Sequence, residues 1–141
     1  MKTSHSVLVV SAVGAAGLWL CERQHRRQNA LDVAQMHQAW IAEVAENPRL
    51  RAAWTPTGGE LPDEEYANLL HANRLISFLA AKFRVGLLDK RSLRVQARWL
   101  MQREIARSYW KRYGGFRNDE ASDRMDRVFN AILSDEYTAV A

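Results

Sequence analysis

The run DKRSLRVQARWLMQREIARSYWKRYGG, residues 89–115, decides the fold. At 100° per residue, Val95, Trp99, Ala106, Tyr109, Trp110 and Tyr113 share one face of a helix. Leu93, Ala97, Leu100, Met101 and Ile105 cover much of the rest. This predicts one central helix from Asp89 to Tyr113, buried on two sides and ended by Gly114-Gly115. Its arginines leave from the flanks, with their stems packed on the aromatic rings.

Upstream, Leu61-Pro62-Asp63-Glu64-Glu65 opens a second helix, with proline followed by three acids at the positive end of the dipole. Its apolar stripe is Tyr66, Leu69, Leu70, Ile76, Phe78, Leu79 and Phe83, and Gly86 is its stop. Before it, Thr55-Pro56-Thr57-Gly58-Gly59 reads as a loop. Asn47 caps a short helix that starts at Pro48 and runs to about Trp54, since the residue before proline is driven out of helical geometry. Asn29–Glu46 has helical periodicity in Leu31, Val33, Met36, His37, Trp40, Ile41 and Val44. Downstream, a last helix begins near Asn118 or Asp119 and carries Met125, Val128, Phe129, Ile132 and Leu133 toward Tyr137. No stretch alternates with period two for long enough to form a strand, and there is no internal repeat.

From Thr3 to Cys21 there are 19 residues without formal charge, and Val7–Leu20 is almost wholly apolar. As a helix the longer span reaches roughly 28 Å, close to the hydrocarbon thickness of a bilayer. The same stretch also reads as a cleaved secretory signal, with Lys2 in the n-region. A cleavage site sought around Ala12–Gly17 would cut inside the apolar run, which favours a retained anchor. Arg23, Arg26 and Arg27 follow it, against Lys2 alone before it, so the positive-inside rule orients the N-terminus out and the body in the cytoplasm. These arginines are also the residues that would meet anionic lipid head groups. Ser11 with Ala15, and Ala12 with Ala16, have the small-residue spacing that would permit a homodimer through this helix. The sequence therefore reads as all-α: a transmembrane anchor at 1–21, then a cytoplasmic bundle of about four main helices at 22–141, held at the inner membrane.

The 141 residues carry 20 lysines and arginines against 16 acids, a net +4. That sum hides a segregation. Lys82–Arg117 has eleven basic residues against Asp89 and Glu104, a net +9, which leaves −5 for the rest. Internal pairing of helices of opposite sign is the leading reading, ahead of a lipid-facing basic edge built from Arg98, Arg103, Arg107 and Lys111. A nucleic-acid partner ranks last, because the aromatics among the arginines fall on core positions rather than forming a stacking platform.

The sequence offers little chemistry. Cys21 is the only cysteine, which excludes an internal disulfide and a multi-cysteine zinc site. There is no nucleophile elbow and no phosphate-cradling glycine loop. Glu22-x-x-His25 has no partner motif on a second helix, so no metal and no cofactor are expected. Asn73 interrupts an apolar stripe, and a buried amide needs a partner. It reads as a polar network with His37 or His71. The leading functional reading is a membrane-anchored module that binds a protein partner. The alternative, from a different class, is an enzyme or auxiliary factor with a small-molecule pocket around His37, His71 and Asn73.

Several short strings recur in one known setting: Asn47-Pro48-Arg49-Leu50 leading to Trp54-Thr55-Pro56, Asn73-Arg74-Leu75, Arg84-Val85-Gly86-Leu87, and Tyr109-Trp110 with Arg112-Tyr113-Gly114-Gly115-Phe116-Arg117. With the apolar N-terminus and its arginine flank, the layout resembles a small actinobacterial (Streptomyces-type) membrane-anchored family known only as a domain of unknown function. The resemblance spans nearly the whole chain. It implies a bacterial setting and no particular activity.

Overall fold

The computed structural model describes the backbone over residues 2–56 and 61–140, and side chains over 13–56 and 61–140. Thr57, Gly58 and Gly59 of the expected loop lie outside the described residues, as do the side chains of Ser11 and Ala12. The described chain forms six α-helices and no strand: α1 Lys2–Glu46, α2 Pro48–Trp54, α3 Asp63–Arg84, α4 Lys90–Met101, α5 Glu104–Glu120 and α6 Arg124–Ala139.

The expected Asn47 cap and the acidic first turn of α3 are present. Asn47 Oδ1 accepts from the backbone N–H groups of Arg49 and Leu50, and Pro48 takes the first helical position of α2. Asp63, Glu64 and Glu65 fill the first turn of α3. That helix ends at Gly86, whose φ of +78° is a conformation only glycine adopts without strain. Asp89 caps α4 and Asp123 caps α6 through their carboxylates.

The helix predicted over Asp89–Tyr113 is two helices. Arg103 is extended, at φ −103° and ψ 129°, and Gln102-Arg103 separate α4 from α5. The break resets the helical phase, so the single face drawn through Val95, Trp99 and Tyr109 does not exist. Val95 is 61% and Trp99 51% exposed, while Leu93, Ala97, Leu100, Met101, Ala106, Tyr109 and Trp110 are buried. Nor do Gly114-Gly115 end a helix, because α5 runs through them to Glu120. Gly114 is instead a packing position: a Cβ there would stand 3.1 Å from the Trp110 ring. The last helix starts at Arg124, five or six residues beyond the expected start.

Helix α3 lies at the centre, packed against α1, α2, α4, α5 and α6. The core is Ile41, Val44, Leu69, Leu70, Ile76, Leu79 and Phe83 with Leu93, Leu100, Met101, Trp110, Phe129, Ile132 and Leu133. Among the described residues, helix α1 packs on α2 and α3 and buries only Ile41, Val44 and Ala45. Leu31, Val33, Met36, His37 and Trp40, the other members of its helical repeat, are exposed, as is Phe78 of α3. From Val13 to Asn29 every residue of α1 is exposed. The segment expected as an anchor and the helix after it form one continuous α1. Among the described residues, no helix is long and apolar enough to cross a membrane; the expected anchor at 1–21 has described side chains only from Val13 on.

The charge segregation reappears as contacts. Arg84 of α3 pairs with Asp123 at 3.2 Å and with Asp126, at the start of α6. Arg94 of α4 reaches Asp135 at 3.2 Å and Glu136 at 3.1 Å, and Arg98 reaches Glu136 at 3.0 Å. The basic α3–α4 segment and the acidic α6 are thus sewn together along their length.

Candidate functional site in the cleft beside α1

Because α1 rests on α3 and does not contact α5 or α6, a cleft opens between them. Its narrower part, about 390 Å³, lies among α1, α3 and α5 and is lined by His37, Trp40, Tyr66, Asn73, Ser77, Tyr109, Tyr113, Phe116, Arg117 and Glu120. A wider part of about 610 Å³ continues toward α6 and shares His37, Ser77, Arg117 and Glu120 with the first.

The floor is a polar knot on a single acceptor. Asn73 Oδ1 accepts from the Tyr109 hydroxyl at 2.8 Å, from Arg117 Nη2 at 3.0 Å and from Ser77 Oγ at 3.2 Å. Arg117 Nε donates to the Tyr109 hydroxyl at 2.9 Å, and its Nη2 also donates to Ser77 Oγ at 2.8 Å. Helix register explains the assembly: Asn73 and Ser77 are one turn apart on α3, and Tyr109 and Arg117 two turns apart on α5. From α6, Asn130 Nδ2 donates to the Arg117 carbonyl at 2.8 Å and fixes the end of α5. Burial raises the Tyr109 hydroxyl above its ordinary pKa, with Arg117 pulling the other way, so it stays a neutral donor at physiological pH.

The walls are aromatic. Tyr109 and Tyr113 stack tilted at 5.2 Å, His37 lies 6.4 Å from Trp40, and Trp40 meets Trp54 of α2 edge-on at 5.5 Å. The Tyr66 hydroxyl donates to the Trp54 carbonyl at 2.9 Å. No buried side-chain polar atom among the described residues lacks a partner.

Of the expected network, Asn73 and His37 line one cleft, but His71 does not reach it. His71 is exposed on another side of α3, in a separate groove with Leu31, Leu75 and Phe78. Asn73 finds Tyr109, Ser77 and Arg117 instead. Arg117 carried a signal in the sequence, lying eight residues after Tyr109 and so on the same face of a helix. Treating Gly114-Gly115 as a helix end concealed it.

The basic edge is largely occupied. Arg98 is bound to Glu136; Arg103 lies 3.4 Å over the Trp99 ring and donates to the Trp99 carbonyl; Arg107 covers the Tyr137 ring and donates to its carbonyl. Lys111 is exposed. At the far end, Arg26 pairs with Glu22 one turn away, Arg23 lies over Trp19, and Arg27 nears Gly86. No group of three His, Cys, Asp or Glu side chains among the described residues is placed to hold a metal.

A family model described as a family of unknown function (DUF6082) matches residues 3–141. No curated protein and no solved structure matches the chain.

Proposed function

The chain belongs to the DUF6082 family of unknown function, so its role must come from its own architecture, and we propose that it is a membrane-tethered module for a protein partner. In this reading the N-terminal part of α1 sits in the inner membrane with the N-terminus out, and the bundle lies in the cytoplasm. The observation that carries it is the exposure of that part of α1. Val13, Leu18, Trp19 and Leu20 are 57–75% exposed, directly before Arg23, Arg26 and Arg27. Water disfavours such a surface, while a bilayer with a basic flank on its inner side accommodates it. The uncharged run from Thr3 supplies the rest of the length. The basic edge at Arg98, Arg103, Arg107 and Lys111 would be a secondary contact with head groups.

The partner surface in this reading is the exposed apolar stripe of α1, Val33, Met36 and Trp40, continued by Trp54. Tyrosine, tryptophan and methionine are the side chains enriched where proteins meet. The test is fractionation of full-length protein, followed by crosslinking from a photoreactive residue placed at Met36. The reading expects the uncleaved chain in the membrane pellet and a crosslink to one partner protein. Uncleaved chain in the supernatant after high-speed centrifugation would refute the tether.

A further inference from the structure

Arg117 is half-buried, and every acceptor it reaches is neutral: the Tyr109 hydroxyl, Asn73 Oδ1 and Ser77 Oγ. Among the described residues no carboxylate stands within 4.0 Å of it. Arg51, Arg84 and Arg94, by contrast, each meet at least one. Three hydrogen bonds through Nε and Nη2 fix the plane of the guanidinium, and Nη1 makes none. A half-buried guanidinium with no carboxylate in contact among the described residues, held rigid by neutral groups, is preorganised to receive an anion. The space in front of it is about 390 Å³, within the range of small-molecule sites, and its walls are aromatic.

We propose that this cleft binds an aromatic monocarboxylate, with the carboxylate against Nη1 of Arg117 and the ring among Trp40, Tyr113 and Phe116. A carboxylate supplies the missing charge. Phosphate esters fit less well, because Glu120 lines the same cleft and would oppose a second negative charge. The flat walls favour a ring over a branched chain, through stacked and edge-on contacts. The inference goes beyond the tether and is independent of it.

The experiment is a titration of the full chain in a non-ionic detergent with 3-phenylpropionate, followed by tryptophan fluorescence and ligand-observed NMR. The neutral 3-phenylpropionamide serves as the control. The site predicts saturable binding of the acid and at least tenfold weaker binding of the amide. Asn73→Asp places a carboxylate on Arg117 while keeping an acceptor for Tyr109 and Ser77, so the fold persists and the acid should bind at least tenfold more weakly. Glu120→Gln removes the opposing charge and should tighten the acid severalfold. Equal binding of acid and amide, unchanged binding by N73D, weaker binding by E120Q, or no saturation by the acid at millimolar concentration would each overturn the proposal. Retained helical circular dichroism in each variant separates loss of the site from loss of the fold.

Discussion

Glu136 of α6 is 4% exposed, and its Oε2 accepts from Arg98 Nε of α4 at 3.0 Å. Arg94 reaches Oε1 of the same carboxylate at 3.1 Å. Both arginines keep much of their surface in water, at 42% and 59% exposure, so the pair of cations solvates one buried anion rather than being buried with it. Exposed ion pairs elsewhere in the chain contribute little. Here the carboxylate has lost its water, and the guanidiniums are what replace it.

Glu136→Ala should therefore destabilise the chain by about 1–3 kcal/mol, the range for removing a charged hydrogen-bonding group at a buried site. Glu136→Gln, which keeps an acceptor, should cost less. Urea unfolding midpoints at constant m-value measure both.

The hydrogen bond from Arg98, supported by Arg94, holds the Glu136 carboxyl below its ordinary range. Backbone N–H donors at the starts of α4 and α6 do the same for Asp89 and Asp123, and Arg51 does so for Asp63. The folded chain binds these protons less tightly than the unfolded chain. Their stabilisation is thus fully present above the unfolded carboxylate values of about 4 and is lost as pH falls through the lower folded values. Stability from these groups should be flat between neutral pH and roughly pH 5, then fall. Denaturant midpoints across that range test it; a steady loss starting near neutrality would contradict the assignment.

Three glycines separate conformational from steric demand. Gly86→Ala should cost about 1–2 kcal/mol, because φ is +78° while the nearest atom to a new Cβ, Arg27 Nη2, is at an ordinary 3.5 Å. Gly115→Ala meets open space inside a helix and should stabilise by about 0.5–1 kcal/mol. Gly114→Ala gains the same propensity but presses on the buried Trp110 ring, so it should be less stable than its neighbour variant. Thermal midpoints of the three give the order.

Replacing the expected network residues by alanine should divide them. Asn73→Ala leaves Tyr109, Ser77 and Arg117 without their common acceptor and should cost about 1–3 kcal/mol. His37→Ala and His71→Ala remove exposed side chains and should stay within about 0.5 kcal/mol of the parent. Chemical denaturation of each variant is the measurement.

Much of this was legible in the residues. Asn47-Pro48, the acids of Asp63–Glu65 and Gly86 marked their helix ends correctly, because capping and left-handed glycine act within a few residues. Periodicity identified α3 and α6 and most of their buried positions. Asn73 was recognisable as an amide in need of partners. What misled was the reading of residues 89–115 as one helix: nothing in Gln102-Arg103 is a strong breaker, and Gly114-Gly115 is a common terminator.

By itself, the sequence determined that the chain is helical, where several of its local caps lie, and that basic and acidic residues are segregated along it, since these follow from side-chain period, turn chemistry and composition. Only the tertiary structure decided where α4 stops, which aromatics are buried, and that Arg117 meets Asn73. The last rests on contacts between residues 36 and 44 positions apart. Packing against α3 and α6 can outweigh a local helix preference of under 1 kcal/mol per residue. The meeting of Asn73 with Arg117 is set by how two helices dock, which no single stretch of sequence encodes.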